Sequence, residues 1–311
     1  MSLIRPPFPE VVDSTILAAF RSCPRKAFLE FFHHWKNKEL SVHLHAGAAY
    51  ARGLEVARRS YYEEGKDPET CVALGVGALL EHYGNFQCPE DSAKSAGRTA
   101  GALEFYFAAY PLETDKAVPL TLANGKRTIE FGGVEALDST HPETGNPLQY
   151  SWRMDMACEY EGMKLGEDDK TASQLGASWP KQWDLRSQFT SYVWGAGRNG
   201  LKLDGFLVRG VSILKTKYDT LQAITYRPNW QIERWYEQLL RDLQRMKQCW
   251  QEGYFDYNLD HACTEYGGCQ FRGVCLSCDP KQMLEQLYDR RRWDPVRREE
   301  IPVGLEQDWS Y

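Results

Sequence analysis

Two neighbouring runs near the middle of the chain read as strands, Trp152–Tyr160 and Leu165–Thr171, and apolar and polar residues alternate at the start of the first run. A period of two places successive side chains on opposite faces and is typical of β-strands. The residues between the runs, Glu161–Lys164, include Gly162, which readily adopts the positive φ angle that tight turns require. The pattern therefore predicts a β-hairpin.

The predicted hairpin carries three charged side chains on one face. Asp168 and Lys170 are two residues apart, so they point the same way, whereas Asp169 points to the other face. Strand pairing can bring Asp155 beside them. Carboxylate oxygens are ligands that Mg²⁺ prefers, and an ammonium group can neutralise a phosphate. We therefore expect a site for a divalent cation and a phosphate here.

Apolar residues recur at helical spacing in much of the remaining chain. Asp13 or Ser14 can cap the first helix, which begins at Thr15 and breaks at Pro24. The other predicted helices are Ser41–Gly65, most of Pro68–Ala109, Trp179–Arg198 and Trp230–Gly253. The other predicted strands are Thr128–Leu137, Gly205–Lys215 and Thr220–Arg227.

The order of these elements predicts an α/β fold, with a mixed sheet flanked by helices. We expect three consecutive domains. Residues 1–126 form an N-terminal helical lobe, residues 127–228 form the core with the hairpin, and residues 229–311 form a C-terminal helix and a Cys-rich segment.

The composition is that of a soluble globular protein: of 311 residues, 42% are hydrophobic and 26% are charged. No apolar run approaches the roughly 20 residues that span a bilayer, so we expect no membrane partner. The N-terminal sequence MSLIRPPFPE lacks the apolar core of a signal peptide. These features favour a reducing, cytoplasmic compartment.

The net charge of −6 argues against a surface that coats nucleic acid broadly, but it permits a local basic groove. The basic segment Arg290–Arg298 can grip phosphates or form a solvated helix face that pairs with Glu299 and Glu300. Three tryptophans near the predicted hairpin and helix can stack on bases or belong to the core: Trp179, Trp183 and Trp194.

Nine cysteines are an odd number, and a reducing compartment disfavours disulfides. Four of them fall in one short stretch near the C-terminus: Cys263, Cys269, Cys275 and Cys278. Four thiolates suit zinc or an iron–sulfur cluster. Two hypotheses follow from the spacing. Either these four hold structural zinc, or three of them join Cys23, at the break of the first helix, around a [4Fe–4S] cluster.

Candidate site residues follow one another along the predicted core in a fixed order. They are Glu135 on a predicted strand, then Arg153-Met154-Asp155, then Asp168-Asp169-Lys170-Thr171, then Gln188 and Tyr192 on a helix. This set resembles the PD-(D/E)XK nuclease superfamily, specifically its RecB-like branch, in which a G-x-D strand, a D-x-K-T strand and a Q-x-x-x-Y helix follow in that order. The resemblance implies a restriction-endonuclease-like fold. It implies that Asp155 and Asp168 are metal ligands, that Lys170 is the catalytic lysine, and that Gln188 and Tyr192 orient the lysine or contact DNA.

One departure concerns a further metal ligand. Relatives often carry a G-x-x-x-H helix whose histidine binds the metal, but here Gly47 is followed by Ala51. The site for Mg²⁺ or Mn²⁺ would then be completed by Glu55, Glu135 or water, or the activity would be weakened.

The cysteines add to the resemblance. One Cys-Pro near the N-terminus and three cysteines after the core are similar to the iron–sulfur nucleases of the RecB-like branch, which include CRISPR-associated RecB-like nucleases and the AddB nuclease domain. The usual final spacing, C-x₂-C-x₅-C, is not reproduced. The resemblance implies that the following residues ligate the cluster, with Cys278 as the alternative: Cys23, Cys263, Cys269 and Cys275.

The resemblance as a whole implies a Mg²⁺- or Mn²⁺-dependent deoxyribonuclease of a bacterial or phage-infected cell. We expect an exonuclease that acts in DNA recombination, repair or spacer processing on DNA that is single-stranded or has free ends. Phage recombination exonucleases pair with a single-strand annealing protein, so such a partner or a homo-oligomer is expected. The alternatives are a DNA-binding adaptor with weakened catalysis and a zinc-stabilised interaction protein.

Overall fold

The computed structural model describes residues 5–90, 92–264 and 268–303. The helices are α1 (Ser14–Ser22), α2 (Pro24–Ala27), α3 (Val42–Tyr62), α4 (Pro68–Tyr83), α5 (Ala96–Ala109), α6 (Ser187–Arg198), α7 (Asn229–Glu252), α8 (His261–Thr264), α9 (Arg272–Leu276) and α10 (Pro280–Leu287). The strands are β1 (Val11–Val12), β2 (Trp35–Asn37), β3 (Val118–Pro119), β4 (Ile129–Thr140), β5 (Pro147–Tyr160), β6 (Met163–Ala172), β7 (Gly205–Ile213), β8 (Tyr218–Tyr226), β9 (Tyr288–Asp294) and β10 (Glu299–Pro302).

In the described residues, seven strands form one mixed sheet flanked by helices, which confirms the predicted fold class. Its central order is β1-β5-β6-β7-β8, and β3 and β4 also pair with β5. Strands β5 and β6 are antiparallel, whereas β6 and β7 are parallel. A parallel pair needs a crossover connection, and the segment that contains α6 supplies it. Strand β7 is buried along its whole length, as expected for a strand with both faces covered.

The chain divides into two compact units, each built from separated segments. The second unit comprises Leu40–Gly133 and Arg153–Ile232 and therefore contains α3 to α6 and β6 to β8. Its core joins α3, α4 and α5 with Val211 and Ile213 of β7. The three consecutive domains expected from the sequence stay a prediction.

The first unit comprises Met1–Glu39, Val134–Trp152 and Glu233–Tyr311. Asp13 caps α1, as predicted, because its carboxylate accepts the backbone N–H groups of Thr15 (3.0 Å) and Ile16 (2.8 Å). Pro24 begins α2, and the chain then continues as a π-helical turn over Phe28–Phe32. A second sheet has the order β10-β9-β2.

Two predicted elements differ from the structure. The basic segment Arg290–Arg298 is not a helix: its first half belongs to β9, and its second half forms the connection to the antiparallel strand β10. Its predicted pairing with glutamates is present, because Arg291 Nη1 lies 3.4 Å from Glu300 Oε2. The predicted helix Trp179–Arg198 is interrupted: a 3₁₀ turn over Pro180–Trp183 precedes α6. None of the helices in the described ranges combines the length and apolarity needed to cross a bilayer.

Candidate active site

The hairpin predicted from the sequence is formed by β5 and β6, and its turn is shorter than expected. Met163 already belongs to β6, so only Glu161 and Gly162 connect the strands. Their φ angles are +49° and +84°, and a two-residue turn with both φ angles positive matches the right-handed twist of the strands it joins.

This turn sets which residues face each other across the hairpin. Met156 pairs with Glu167 at the end of the paired register, so Asp155 and Asp168 are the next residues on the two strands. The charge of Asp168 contributes to the raised pKa of Asp155, so the two carboxylates lie near each other. The strands therefore bring together the two carboxylates that the motif predicted.

Lys170 completes this arrangement. Its ammonium group forms an ion pair with Asp168 Oδ1, and Asp155 Oδ2 accepts the backbone N–H of Asp169 at 2.9 Å. Asp168 is buried, but the Lys170 side chain is 30% exposed. A substrate can therefore approach the Lys170 side chain while Asp168 stays shielded from bulk water.

Several carboxylates lie close together around Lys170, and their charges change the pKa values of Asp155 and Lys170. Burial, followed by the charges of Asp168 and Glu130, raises the pKa of Asp155 well above its ordinary value. Burial acts to lower the pKa of Lys170, but the charges of Asp168 and Asp155 outweigh it and raise that pKa. Lys170 is therefore a cation at neutral pH, and a second cation beside the carboxylates would relieve their repulsion.

Helix α6 lies beside this group. The Lys170 ammonium is 5.9 Å from the centre of the Phe189 ring, and Tyr192 is close enough for its hydroxyl to influence the pKa of Lys170. Gln188 and Tyr192 lie on one face of α6, as predicted, because Gln188 Nε2 donates to the Tyr192 hydroxyl at 2.8 Å. Both residues thus belong to the surroundings of the lysine.

Sequence reasoning missed a carboxylate, Glu130 on β4, whose charge contributes to the raised pKa of Asp155. Glu130 lies 2.9 Å from Nε of Arg153, and its φ angle of +51° is rare for a residue with a side chain. Backbone strain of this kind costs about 1–3 kcal/mol and concentrates at functional sites. The sequence signal that could have indicated Glu130 is its position at the start of a predicted strand.

The two additional carboxylates predicted from the sequence have other partners. Glu135 accepts the indole N–H of Trp152 at 3.3 Å. Glu55 accepts hydrogen bonds from Arg52 (2.8 Å) and Arg59 (2.9 Å). Burial acts to raise the pKa of Glu55, but these two hydrogen bonds outweigh it and lower that pKa. Each of these carboxylates thus has a side-chain partner, and their role as metal ligands stays a prediction.

Helix α3 approaches the end of β6 where the histidine motif was expected. A Cβ atom added to Gly47 would lie 3.6 Å from Thr171 Oγ1, so the helix axis passes close to the strand. Ala51, one turn later, is exposed.

The opposite face of β6 carries a buried network of charges. Arg58 on α3 donates to Asp169 (2.8 Å) and to Glu167 (2.5 Å), and Arg209 donates twice to Asp115 (2.6 and 2.7 Å). Removing one partner of a buried pair costs about 3–5 kcal/mol. Because the Asp169 N–H donates to Asp155, this network also supports the carboxylate pair from behind.

The donor set fits a divalent cation that takes few protein ligands. Within the described ranges, no three His, Cys, Asp or Glu side chains converge closely enough to hold a metal ion. Mg²⁺ is commonly held by one or two carboxylates together with water and substrate phosphate oxygens. Asp155 and Asp168 supply that number of hard oxygen donors, although Lys170 already pairs with Asp168 Oδ1.

The cysteines gather in the first compact unit. One small enclosed cavity of about 30 Å³ is lined by four of the five predicted thiols, namely Cys23, Cys263, Cys269 and Cys275. Cys278 is exposed and does not line it. Burial raises the pKa of the Cys269 and Cys275 thiols, and their neighbours Cys23 and Cys263 raise them further. Four thiols have the donor chemistry of a zinc or iron–sulfur site, but in the described residues no three of them converge closely enough to hold a metal ion.

The three tryptophans that could stack on bases or belong to the core differ in their burial. Trp179 and Trp183 are buried and stack edge to face, with ring centres 5.3 Å apart, so they belong to the core. Trp194 on α6 is only half-buried and lines a surface groove.

Comparison with known proteins gives no family assignment. No protein-family model matches the chain, and no curated protein matches it. Among solved structures, a protein of Eubacterium rectale provisionally named as an exonuclease is similar over 82% of this chain and 87% of its own, with 14% identity and a TM-score of 0.46. The protein SSO0001 is similar over 75% of this chain and 84% of its own, with 12% identity and a TM-score of 0.28.

Proposed function

We propose that this protein is a metal-dependent nuclease that hydrolyses phosphodiester bonds in DNA. The observation that carries the proposal is the proximity of three side chains where the pairing of β5 and β6 ends: Asp168 is close enough to raise the pKa of Asp155, and Lys170 pairs with Asp168. Paired carboxylates suit Mg²⁺ or Mn²⁺, and the ammonium of a half-buried lysine beside them suits the phosphate that the cation would hold.

Each residue has a distinct role in the proposed reaction. A bound cation would supply Lewis-acid stabilisation of the phosphoryl group and a lower pKa for the attacking water. Asp155 and Asp168 hold that cation. Lys170 donates to the phosphate oxygen on which negative charge develops. Gln188 and Tyr192 restrict the positions that the ammonium can take, because they belong to the helix beside it.

We propose that the enzyme is an exonuclease, acting in recombination, repair or spacer processing on DNA that is single-stranded or has free ends. Its proposed setting is the cytoplasm of a bacterial or phage-infected cell, with a single-strand annealing protein or another recombination factor as partner. The half-buried Trp194 and the open Lys170 support contact with unpaired bases and backbone.

The decisive experiment compares Lys170→Met with wild-type protein on end-labelled single-stranded and duplex DNA, with Mn²⁺ or Mg²⁺. Loss of one transition-state cation should lower the rate by about 10²–10³-fold. Lys126→Met, which changes an exposed lysine in a turn, is the matched control and should retain full activity. Equal background hydrolysis by wild type and Lys170→Met would refute the proposal, and products shortened one nucleotide at a time would identify the exonuclease.

A second candidate is a DNA-binding adaptor with weakened catalysis, which Ala51 favours because it stands where relatives carry a metal-binding histidine. DNA binding without hydrolysis in the same assay would select this candidate. A zinc-stabilised interaction protein without a DNA role would neither bind nor hydrolyse.

We further propose that Cys23, Cys263, Cys269 and Cys275 hold a [4Fe–4S] cluster, with Cys278 outside it. Their common cavity supports this ligand set. Anaerobically purified protein should absorb near ~400 nm and contain iron and sulfide. A colourless protein with one bound zinc would favour the zinc alternative.

A further inference from the structure

A second lysine, Lys94, reaches β6 from the connection between α4 and α5. The residue is only 3% exposed, and its ammonium group donates to Thr171 Oγ1 at 3.0 Å. Thr171 directly follows Lys170, so this contact lies at the end of the strand that carries the catalytic group. No motif predicted it, because the two residues are 77 positions apart.

Lys94 differs from the other buried cations near β6 in having no carboxylate partner. Arg58 pairs with Glu167 and Asp169, and Lys170 pairs with Asp168. In the described part of the chain, no carboxylate lies within ion-pair distance of Lys94, and burial lowers its pKa to about 8. A buried cation without a counter-charge is costly, so an anionic ligand would stabilise it.

The Thr171 hydroxyl has a proton to give to such a ligand. A hydroxyl carries one donor and two acceptor positions, and Lys94 already donates to this oxygen. The described residues provide no acceptor for the hydroxyl proton, and Thr171 is half-buried rather than enclosed. Donation from the ammonium polarises the hydroxyl and strengthens the hydrogen bond that it can donate.

Gly47 keeps this position open. A Cβ atom at Gly47 would lie 3.6 Å from Thr171 Oγ1, in ordinary van der Waals contact, so a side chain longer than that of alanine at this position would compete for the space beside the hydroxyl. A cation is not a suitable ligand here, because both groups that point to the position are donors and one of them is charged. The chemistry selects an oxyanion.

We propose that the Thr171 hydroxyl, backed by the Lys94 ammonium, binds a backbone phosphate of the nucleic-acid strand next to the phosphate held at Lys170. Thr171 makes the contact, and Lys94 is the positioning residue that polarises it. This inference rests on the proposed nuclease function and extends it to a second phosphate subsite at the end of β6.

The test measures DNA affinity in an Asp168→Asn background, which prevents hydrolysis during the measurement. Anisotropy of a fluorescent single strand is recorded between low and moderate salt. Lys94→Met should weaken binding about tenfold, and the slope of log affinity against log salt should fall by about one. Thr171→Val should weaken binding to a similar degree, and Thr171→Ser, which keeps the hydroxyl, should restore it.

Two controls separate the outcomes. Lys126→Met also removes one positive charge, but from an exposed turn, and should leave the affinity unchanged. If wild-type protein cleaves DNA while Lys94→Met and Thr171→Val in the Asp168→Asn background bind as tightly as Asp168→Asn alone, the second subsite is refuted and the nuclease stands. If the wild type does not cleave DNA and Asp168→Asn does not bind it, both proposals fall. Thr171→Val nearly conserves side-chain volume on a strand, so it tests the subsite even where Lys94→Met does not fold.

Discussion

Among single residues, His33 links the stability of the protein to pH. Burial, followed by the charges of Arg290 and Arg25, lowers the pKa of His33 to about 3 from an ordinary value of 6.5. Below pH 6.5 the unfolded chain therefore takes up a proton that the folded protein does not. Stability is complete above that pH and declines as pH falls towards 3, by up to about 1.4 kcal/mol for each pH unit.

Urea unfolding at several pH values between 7.5 and 4.5 checks this expectation. His33→Gln, which cannot titrate, should show a shallower loss of unfolding free energy on acidification than the wild type. His43→Gln removes an exposed histidine and should reproduce the wild-type slope. Identical slopes for wild type and His33→Gln would show that the acid sensitivity has another source.

The residues that sequence reasoning found are those whose geometry is local. Asp168 and Lys170 share a face because strands alternate, and a short hairpin leaves little freedom for Asp155. Glu130 and Lys94 could not be found in this way. Glu130 depends on a positive φ angle, and Lys94 reaches its partner through a tertiary contact that no spacing encodes.

At the level of elements, α3 and α4 pack with their backbones in close contact. A Cβ atom on Gly75 would lie 2.6 Å from the carbonyl oxygen of Gly53 and 2.9 Å from Cβ of Ala57. Gly75→Ala should therefore destabilise the protein by about 1–3 kcal/mol, although alanine is the better helix former.

The matched variant is Gly77→Ala on the same helix. Gly77 is exposed and has no atom within 4 Å of an added Cβ, so this change should stabilise the protein by about 0.5–1 kcal/mol. Thermal unfolding of the two variants should shift in opposite directions. A shift of the same sign in both variants would mean that helix propensity, rather than the close contact between α3 and α4, determines the effect of the change at Gly75.

The sequence predicts the type of an element correctly where one hydrophobic period continues over many residues, as in α3 and α7. The prediction fails where charged residues obscure that period. The run Arg290–Arg292 hides the strand β9, whose pairing with β2 and β10 joins segments far apart in sequence. Strand β3 has only two residues and depends on its pairing with β5. Neither feature is visible in a local pattern.

For the molecule as a whole, the thiols join distant parts of one compact unit. Cys23 belongs to its first segment, and Cys263, Cys269 and Cys275 belong to its last. A cluster bonded to all four closes a long loop, and binding that requires the folded site stabilises the fold. Cys23→Ser should lower the melting temperature by roughly 5 °C or more, at about 2–4 °C for each kcal/mol.

Anaerobic differential scanning calorimetry, with absorbance recorded on the same samples, provides the measurement. Cys278→Ser is the matched control because Cys278 is exposed and lies outside the cavity, so its colour and melting temperature should equal those of the wild type. A loss of colour in Cys278→Ser with full colour in Cys23→Ser would assign the ligands to the C-terminal stretch alone.

The compact units could not be derived from sequence for a related reason. Strands β4 and β5 and helix α7 each continue from one unit into the other, so the divisions fall within elements and not at loops. A search for linkers by composition looks for glycine, proline or charge runs, but Gly132-Gly133 lies inside a predicted strand and no such run marks Trp152.

The two-residue turn at Glu161 and Gly162 sets the pairing register between β5 and β6. One glycine inserted after Gly162 should slide β6 by a single position, and Asp168 would then face away from Asp155. Circular dichroism should change little while Mn²⁺-dependent hydrolysis disappears, and retained hydrolysis would show that a bulge absorbs the insertion. A single inserted residue would thus abolish hydrolysis although every acidic residue of the site is still present in the chain.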